Sequence, residues 1–231
     1  TLALDSSSKP LSLALISDGR ILASYNDMPS EPQSSVIIKV IDSVFKKANV
    51  TVDQITDVLF CNGPGSFTSL RVGLATLQGL FLKSGVRFLV TSSLLLRCLS
   101  SSDQSDTSDL SDKSDKAFWA KLPLGRDRLA VGLFDHGAQK LLPKHIQSLF
   151  KQRVPSCPNY YEGFLSGEHL AEMNQLFPAL SSIAPDDISR TDPTAFLTII
   201  EKKWFEETSL AQVRLFYMIE PDVGKKVGES I

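Results

Sequence analysis

The sequence has 231 residues, of which 42% are apolar and 22% are charged, and its formal net charge is −2. These values are typical of soluble globular proteins, so the chain can form one large domain or two small lobes. The near-neutral charge disfavours strong binding of nucleic acid by this chain alone, because such binding needs many Lys and Arg contacts to phosphates.

The cysteines indicate a reducing compartment, and the hydropathy predicts no membrane-spanning segment. Cys61, Cys98 and Cys157 are widely separated and form no CxxC pair, which disfavours a zinc ribbon or a disulfide framework. No segment approaches the ~18 consecutive apolar residues of a membrane helix. The opening residues Thr1–Asp5 resemble a strand rather than a signal peptide. A cytoplasmic protein without a membrane partner is therefore expected.

The first quarter predicts three strands and a helix. Residues 2–4 form an apolar run, and alternating leucines at 11–15 predict a second strand. Asp18-Gly19 is a strong hairpin signal ahead of a third strand at 21–25. Helical spacing of apolar residues then predicts a helix over 34–48 with a broad apolar stripe.

Two further strand–helix pairs follow along the chain. Residues 57–61 predict a buried strand, and a helix is expected from 67 or 68 to about 83. Residues 88–91 predict another strand, and Ser92 or Ser93 can cap a short helix through Cys98.

Five Ser-Asp-x triplets over 102–116 interrupt this pattern. With almost no apolar content they predict a flexible linker, and a phosphorylated or metal-binding acidic tract is the functional alternative. We therefore expect an N-terminal lobe at 1–99, a Ser-Asp-rich segment at 100–116 and a C-terminal lobe at 117–231. The final helix and strand can return to the first lobe.

The second half predicts mostly short elements. Strands are expected at 117–122, 129–134, 160–165 and 213–219, and helices at 144–153, 168–177 and 194–207. The order β-β-β-α-β-α-β-α of the first half implies a mixed sheet covered by helices. That order is typical of an α/β, actin-like ATPase (ASKHA, ribonuclease-H-like) fold with two lobes, each with a mixed sheet.

The most specific stretch is the loop between the fourth strand and the second helix. Its glycines allow tight backbone geometry, and free amides at the start of a helix can bind an anion. It is neither a P-loop nor a GxGxxG motif, so a structural turn and a ligand or phosphate loop both stay open. The candidate ligand residues are Asp5, Ser6, Gly63, Gly65, Ser66, Thr68 and Arg71.

Three segments of the chain resemble hallmark segments of the TsaB (YeaZ) family. They are LALDSSS at 2–8, PGSFTSLRVG at 64–73 and TSSL at 91–94. In the second half only the strand ending at Gly167 and Leu215-Phe216-Tyr217 have recognisable counterparts. The family usually has Gly at the position of Ser69 and a His near Pro32-Gln33, and it lacks the Ser-Asp triplets. The chain therefore resembles a divergent member of the TsaB (YeaZ) family.

The resemblance implies a role in making threonylcarbamoyladenosine in tRNA. TsaB proteins are similar in fold to TsaD, the catalytic subunit that transfers the threonylcarbamoyl group, but they lack the metal-binding histidines of TsaD. In this chain His136, His145 and His169 form no HxxxH or HExxH motif. The resemblance therefore implies a non-catalytic subunit with no catalytic residue, no metal site and no cofactor of its own, although ATP or ADP can lie at a partner interface.

The resemblance also implies partners. They are a TsaD-like subunit, a TsaE-like ATPase and a second copy of the chain as a dimer, with tRNA contacted only through the complex. The family's helices corresponding to 34–48 and 68–83 pack against equivalent helices of TsaD. The candidate partner-binding residues are Val36, Val40, Ile41, Val44, Ala75 and Gly79. The alternative for the stripe on the first of these helices is that it packs entirely on the sheet.

Other functions remain as alternatives. A small-molecule kinase or ATPase of the same superfamily would use Asp5 at the end of the first strand to hold a metal–phosphate complex. Only fragments of a second phosphate loop or adenosine site are recognisable, around residues 125–128 and 166–167. A protease lacks a GxSxG elbow or a Cys–His pairing. A scaffold unrelated to tRNA is the remaining possibility.

Overall fold

The structure, a computed structural model, describes residues 1–8, 10–100, 118–123, 128–134, 143–158, 160–176 and 191–216. The Ser-Asp triplets, His136 and residues 217–231 lie outside these ranges, so the expectations for them stay predictions. The same applies to the proposed division into domains.

The described strands and helices follow the predicted order closely in the first half. The strands are β1 (Leu2–Asp5), β2 (Leu11–Ser17), β3 (Arg20–Asp27), β4 (Asp57–Cys61), β5 (Arg87–Thr91), β6 (Phe118–Pro123), β7 (Arg128–Phe134), β8 (Phe150–Lys151), β9 (Tyr160–Ser166) and β10 (Glu206–Thr208). The helices are α1 (Gln33–Ala48), α2 (Phe67–Phe81), α3 (Ser93–Ser100), α4 (Lys144–Gln147), α5 (Gly167–Leu176) and α6 (Thr194–Glu201), with a 3-10 turn at Val52–Gln54.

The first sheet is mixed, as the sequence predicts. Its order is β10-β5-β4-β1-β2-β3. The β1–β4 and β4–β5 pairs are parallel, whereas the hairpin strands and β10 pair antiparallel. The parallel strands end together at Asp5, Cys61 and Thr91, and the loops that follow them meet at that edge.

Both faces of this sheet are covered by helices because its strands are apolar on both sides. Successive strand residues point to opposite faces, and β4 divides in this way between two clusters. Val58 and Phe60 join the core under α1 and α2. Leu59 and Cys61 join a second cluster that contains residues of α3 and α6.

Helix α3 lies between the two sheets. Ser93 to Cys98 are all buried, as expected for a helix that is apolar all round. Leu94, Leu95 and Cys98 pack with Ala130 of β7 and with Tyr160 of β9. This short helix therefore joins the core of the first sheet to that of the second.

The second sheet differs from the prediction in one respect. Its described strands, in the order β6-β7-β9-β8, are antiparallel throughout rather than mixed. The physical reason is local: β6 and β7 are separated by only a short stretch, which can form a hairpin but not a parallel crossover.

Three elements of the second half also differ from their predicted bounds. The helix expected over 144–153 ends at Gln147 and is followed by β8. The helix expected over 194–207 ends at Glu201, near Lys203 with a φ of 56°, and β10 follows to pair with β5. Residues 213–216 form no strand; instead the Phe216 N–H donates to the Asn62 carbonyl at 2.7 Å.

Candidate functional site

The β1–β2 turn and the loop before α2 are packed against each other. The Ser66 N–H donates to the Ser7 carbonyl at 2.6 Å, and Ser6 Oγ donates to the Ser69 carbonyl at 3.1 Å. A Cβ on Gly65 would collide with the backbone of Ser7. The glycine is therefore needed for the contact between these two segments of the chain.

Gly63, at the start of the same loop, contacts Ser93 and Phe216. Its φ of 118° is a conformation that side-chain-bearing residues rarely adopt. Its carbonyl accepts from the Ser93 N–H at 2.9 Å, and a Cβ would collide with the Phe216 carbonyl. The Gly63 carbonyl and the Ser66 amide are thus both used in hydrogen bonds within the chain.

Asp5 is almost completely buried, with an exposed fraction of 1%. Its Oδ1 accepts from the Ser7 N–H at 2.9 Å. Its Oδ2 lies 3.7 Å from Nη2 of Arg97, which is 3% exposed. A guanidinium of the chain itself therefore lies against this buried carboxylate.

The burial of this region also affects Cys61. Burial raises the pKa of its thiol well above the usual value; Asp5 raises that pKa further and Arg97 lowers it. Because the thiolate is the nucleophilic form, Cys61 is unsuited to nucleophilic catalysis.

The remaining candidate ligand residues are on the outside. Ser66 is exposed and its hydroxyl accepts from the Ser69 N–H at 3.4 Å, as the N-cap of α2. Thr68 and Arg71 are exposed, and the Arg71 guanidinium carbon lies 3.8 Å from the centroid of the Phe67 ring. The structure brings Asp5, Ser6, Gly63 and Gly65 together in the interior, but these outer residues do not converge with them on an open site.

Arg97 is not among the site residues predicted from the sequence. Its signal was nevertheless available, because it is the single charged residue between Leu94 and Leu99 in an apolar helix. A cation at such a position needs a buried partner, and Asp5 provides it.

Three of the predicted partner-binding residues, Val40, Ile41 and Val44, are buried in the structure, and their part in an interface stays a prediction. Val40, Ile41 and Val44 are 8%, 3% and 0% exposed and pack in the cluster beneath α1 and α2. Helical periodicity located the stripe but could not show that the sheet covers most of it. Val36 is half-buried, whereas Ala75 and Gly79 on α2 are exposed.

Two large apolar residues are exposed on or next to helices α1 and α2. Ile38 on α1 is 56% exposed, and Leu82, directly after α2, is 71% exposed. A groove of about 540 Å³ has apolar walls formed by Ile38, Ile41, Phe45, Val50, Val52 and Leu80, with Asp42 and Lys46 at its edge. We call Ile38, Ala75, Gly79, Leu82 and this groove the α1–α2 face.

Two histidines that are distant in sequence are close in the structure. The rings of His145 and His169 lie with their centroids 6.2 Å apart, and His145 Nε2 is 2.8 Å from Oε2 of Glu172. These side chains are on the surface. In the described part of the chain they do not form a metal-binding group of three.

No helix among the described residues is long and apolar enough to cross a membrane.

Comparison with known proteins locates a related segment in the first half of the chain. Residues 29–106 match the family model described as TsaD, tRNA N6-adenosine threonylcarbamoyltransferase. Two curated relatives are both named tRNA threonylcarbamoyladenosine biosynthesis protein TsaB. The protein from Escherichia coli K12 is 29% identical over 94 residues, which cover 41% of this chain and 40% of the relative. The protein from Haemophilus influenzae is 34% identical over 79 residues, which cover 34% and 33%.

The chain thus spans less than half the length of the curated relatives that it matches. Among solved structures, YeaZ from Pseudomonas aeruginosa is 21% identical and covers 58% of this chain and 59% of its own, with a TM-score of 0.49. A protein described as uncharacterized, with similarity to peptidase YEAZ from Pseudomonas aeruginosa, gives the same identity and TM-score. The TsaD match and the mixed first sheet with helices on both faces identify an actin-like fold.

Proposed function

Since this chain is related to the TsaB (YeaZ) family, we propose that it is a non-catalytic subunit in the synthesis of threonylcarbamoyladenosine in tRNA. In this role it binds a TsaD-like catalytic subunit through the α1–α2 face and orders it. The curated relatives carry the name of this biosynthesis, and the matched segment at 29–106 contains both helices.

The exposed apolar α1–α2 face is the observation that carries this proposal. Ile38 and Leu82 are large apolar side chains that are mostly in solvent, and Ile38 also lines the groove with apolar walls. Burial of such surface stabilises an interface by roughly 25 cal/mol per Å² of apolar area. Exposed Ala75 and Gly79 lie one helical turn apart on α2, so a partner helix can approach its backbone closely.

The burial of Asp5 supports a role in assembly over the kinase or ATPase alternative. A kinase would need the carboxylate at the end of β1 to face an open cleft, whereas here it faces Arg97 in the interior. The loop before α2 is likewise packed against the β1–β2 turn. Neither group is arranged to take part in transfer chemistry.

The remaining partners follow from the same proposal. A TsaE-like ATPase joins the complex, tRNA is contacted only through it, and ATP or ADP binds at the interface between subunits. A second copy of this chain uses the same face when the TsaD-like subunit is absent, so dimer and complex compete. Bond formation belongs to the TsaD-like subunit.

The proposal is tested by co-purification of the chain with the TsaD-like protein of its own organism, with sizing of the product with and without ATP. Wild-type chain should form a stoichiometric complex, and Ile38→Glu should weaken it at least tenfold. Leu22→Glu is the matched control, because Leu22 is 47% exposed on β3 and lies outside the α1–α2 face.

The two alternatives give different results in this experiment. If the kinase or ATPase alternative holds, the purified chain turns over ATP alone and the Ile38→Glu variant retains that activity. If the chain is a scaffold unrelated to tRNA, no complex forms with the TsaD-like protein under either nucleotide condition. Either result would reject the proposed function.

A further inference from the structure

A second cavity, separate from the α1–α2 face, lies at the edge of the second sheet. It has a volume of about 390 Å³ and is lined by residues in and next to β8, by residues of β9 and by Phe216. Leu149, Phe164 and Phe216 form apolar walls, and Arg153 and Glu162 supply charged groups. A volume in this range suits a small-molecule ligand.

Glu162 is held rigidly with only one of its two oxygens satisfied. The side chain is 4% exposed. Its Oε1 accepts from the Tyr160 hydroxyl at 2.5 Å and from Ser92 Oγ. Ser92 Oγ in turn accepts from the N–H groups of Leu94 and Leu95, at 3.0 and 3.3 Å. The Ser92 hydroxyl therefore donates its own proton to Glu162 Oε1.

The other oxygen, Oε2, is buried and has no hydrogen-bond partner in the structure. Leaving a buried polar atom unsatisfied is costly, and native proteins seldom do so without a reason. Since Glu162 lines the cavity, a ligand with an N–H donor can satisfy this oxygen.

Positive charge lies beside this carboxylate. Arg153 lines the same cavity, its Nε is buried without a hydrogen-bond partner, and its guanidinium carbon lies 4.2 Å from the centroid of the Phe216 ring. Lys151 lies opposite Glu162 in the β8–β9 register, is exposed, and also lines the cavity. The described ion pairs do not join Arg153 to Glu162, so each retains capacity for a ligand.

We propose that this cavity binds a small zwitterion of the free amino-acid class with an apolar or aromatic side chain. Its ammonium donates to Glu162 Oε2, its carboxylate accepts from Arg153 and Lys151, and its side chain packs between Phe164 and Phe216. The two kinds of charge in one apolar cavity match a molecule that carries both. The site shares no residue with the α1–α2 face and does not depend on the proposed function.

The test is ligand-detected NMR and calorimetry on the full chain, at a pH above the Glu162 carboxyl pKa of about 7, with a panel of apolar and aromatic L-amino acids. At least one should bind saturably to wild type. Fragments that separate the charges distinguish the contacts: for L-phenylalanine the fragments are 3-phenylpropionate, which lacks the ammonium, and phenethylamine, which lacks the carboxylate. Each fragment should bind at least tenfold more weakly than the parent amino acid.

Variants assign the binding to this cavity. Glu162→Gln should reduce the affinity at least tenfold, and Glu168→Gln, at an exposed position on α5, should leave it unchanged. Lys151→Gln should reduce the affinity severalfold and, because Lys151 is exposed, should fold even where Glu162→Gln does not. Absence of saturable binding across the panel, or unchanged affinity in both Glu162→Gln and Lys151→Gln, would overturn the proposal.

Discussion

Arg97 Nη2 lies 3.7 Å from Asp5 Oδ2, and the two side chains are 3% and 1% exposed. The carboxylate that ends β1 is therefore neutralised by a cation from α3. In this actin-like fold the carboxylate at the end of β1 therefore has a structural role. It connects α3, through Arg97, to the turn between β1 and β2.

Loss of this cation should destabilise the fold. Arg97→Met keeps much of the side-chain volume but leaves Asp5 buried without its partner. Removing one member of a buried ion pair typically costs about 3–5 kcal/mol. We expect a loss of about 3 kcal/mol in the free energy of unfolding, measured by urea denaturation.

The double variant Asp5→Asn with Arg97→Met is the control for this effect. It removes both charges, so a substantial part of the lost stability should return. If the double variant is as unstable as the sum of the two single variants, the charges do not interact and the ion pair has no structural role.

Gly65→Ala should also be destabilising, because its Cβ would collide with the backbone of Ser7. Overpacking of this kind costs about 1–3 kcal/mol. Gly85→Ala is the matched control, since a Cβ there meets nothing within 4 Å. Thermal unfolding of both variants measures this difference. Equal stability of Gly65→Ala and Gly85→Ala would contradict the close packing of Gly65 against Ser7.

Gly79→Ala should stabilise the free chain. Gly79 lies within α2, and a Cβ there meets no other atom within 4 Å. Alanine in a helix is favoured over glycine by about 0.5–1 kcal/mol. Gly79→Arg should fold as well as wild type and yet fail to bind the TsaD-like subunit, as judged by co-purification. Normal binding of Gly79→Arg would place the interface elsewhere.

The stability of the chain should depend on pH through Glu162. Burial raises the pKa of its carboxyl from 4.5 to about 7, against the opposing effects of hydrogen bonds from Ser92 and Tyr160 and of the Arg153 charge. The folded state then holds the proton more tightly than the unfolded state. The free energy of unfolding should therefore fall as pH rises from about 4.5 to about 7, by an amount on the order of 3 kcal/mol.

Glu162→Gln removes this titration, while Glu168→Gln should retain it. Lys151, Tyr160 and Arg153 are the other titratable groups near the carboxylate, and burial raises the pKa of the Tyr160 hydroxyl well above its usual value. Urea denaturation at several pH values measures the difference. The same pH dependence in wild type and in Glu162→Gln would show that another group is responsible.

Local sequence patterns predict the first half of the fold well. The Asp18-Gly19 turn, the alternation in β2 and the apolar spacing of α1 each determine an element from neighbouring residues alone. Short-range signals of this kind also located the loop before α2. Three short segments between residues 2 and 94 carry the resemblance to TsaB proteins.

Tertiary contacts determine what the sequence could not show. Periodicity identifies the apolar residues of α1 but cannot separate Val40, which the sheet covers, from Ile38, which solvent reaches. The pairing of Asp5 with Arg97 and that of Ser92 with Glu162 join residues far apart in the chain. The strands β8 and β10 are too short to show a recognisable sequence pattern. They form because they pair with the longer strands β9 and β5.

The most direct test of the proposed role is formation of threonylcarbamoyladenosine on tRNA, measured in the presence of the threonylcarbamoyl adenylate. The chain alone should form none, and it should increase formation by the TsaD-like protein of its organism. The Ile38→Glu variant should lose that stimulation and Leu22→Glu should keep it. Product formation by the chain alone, or stimulation that Ile38→Glu leaves unchanged, would contradict the account.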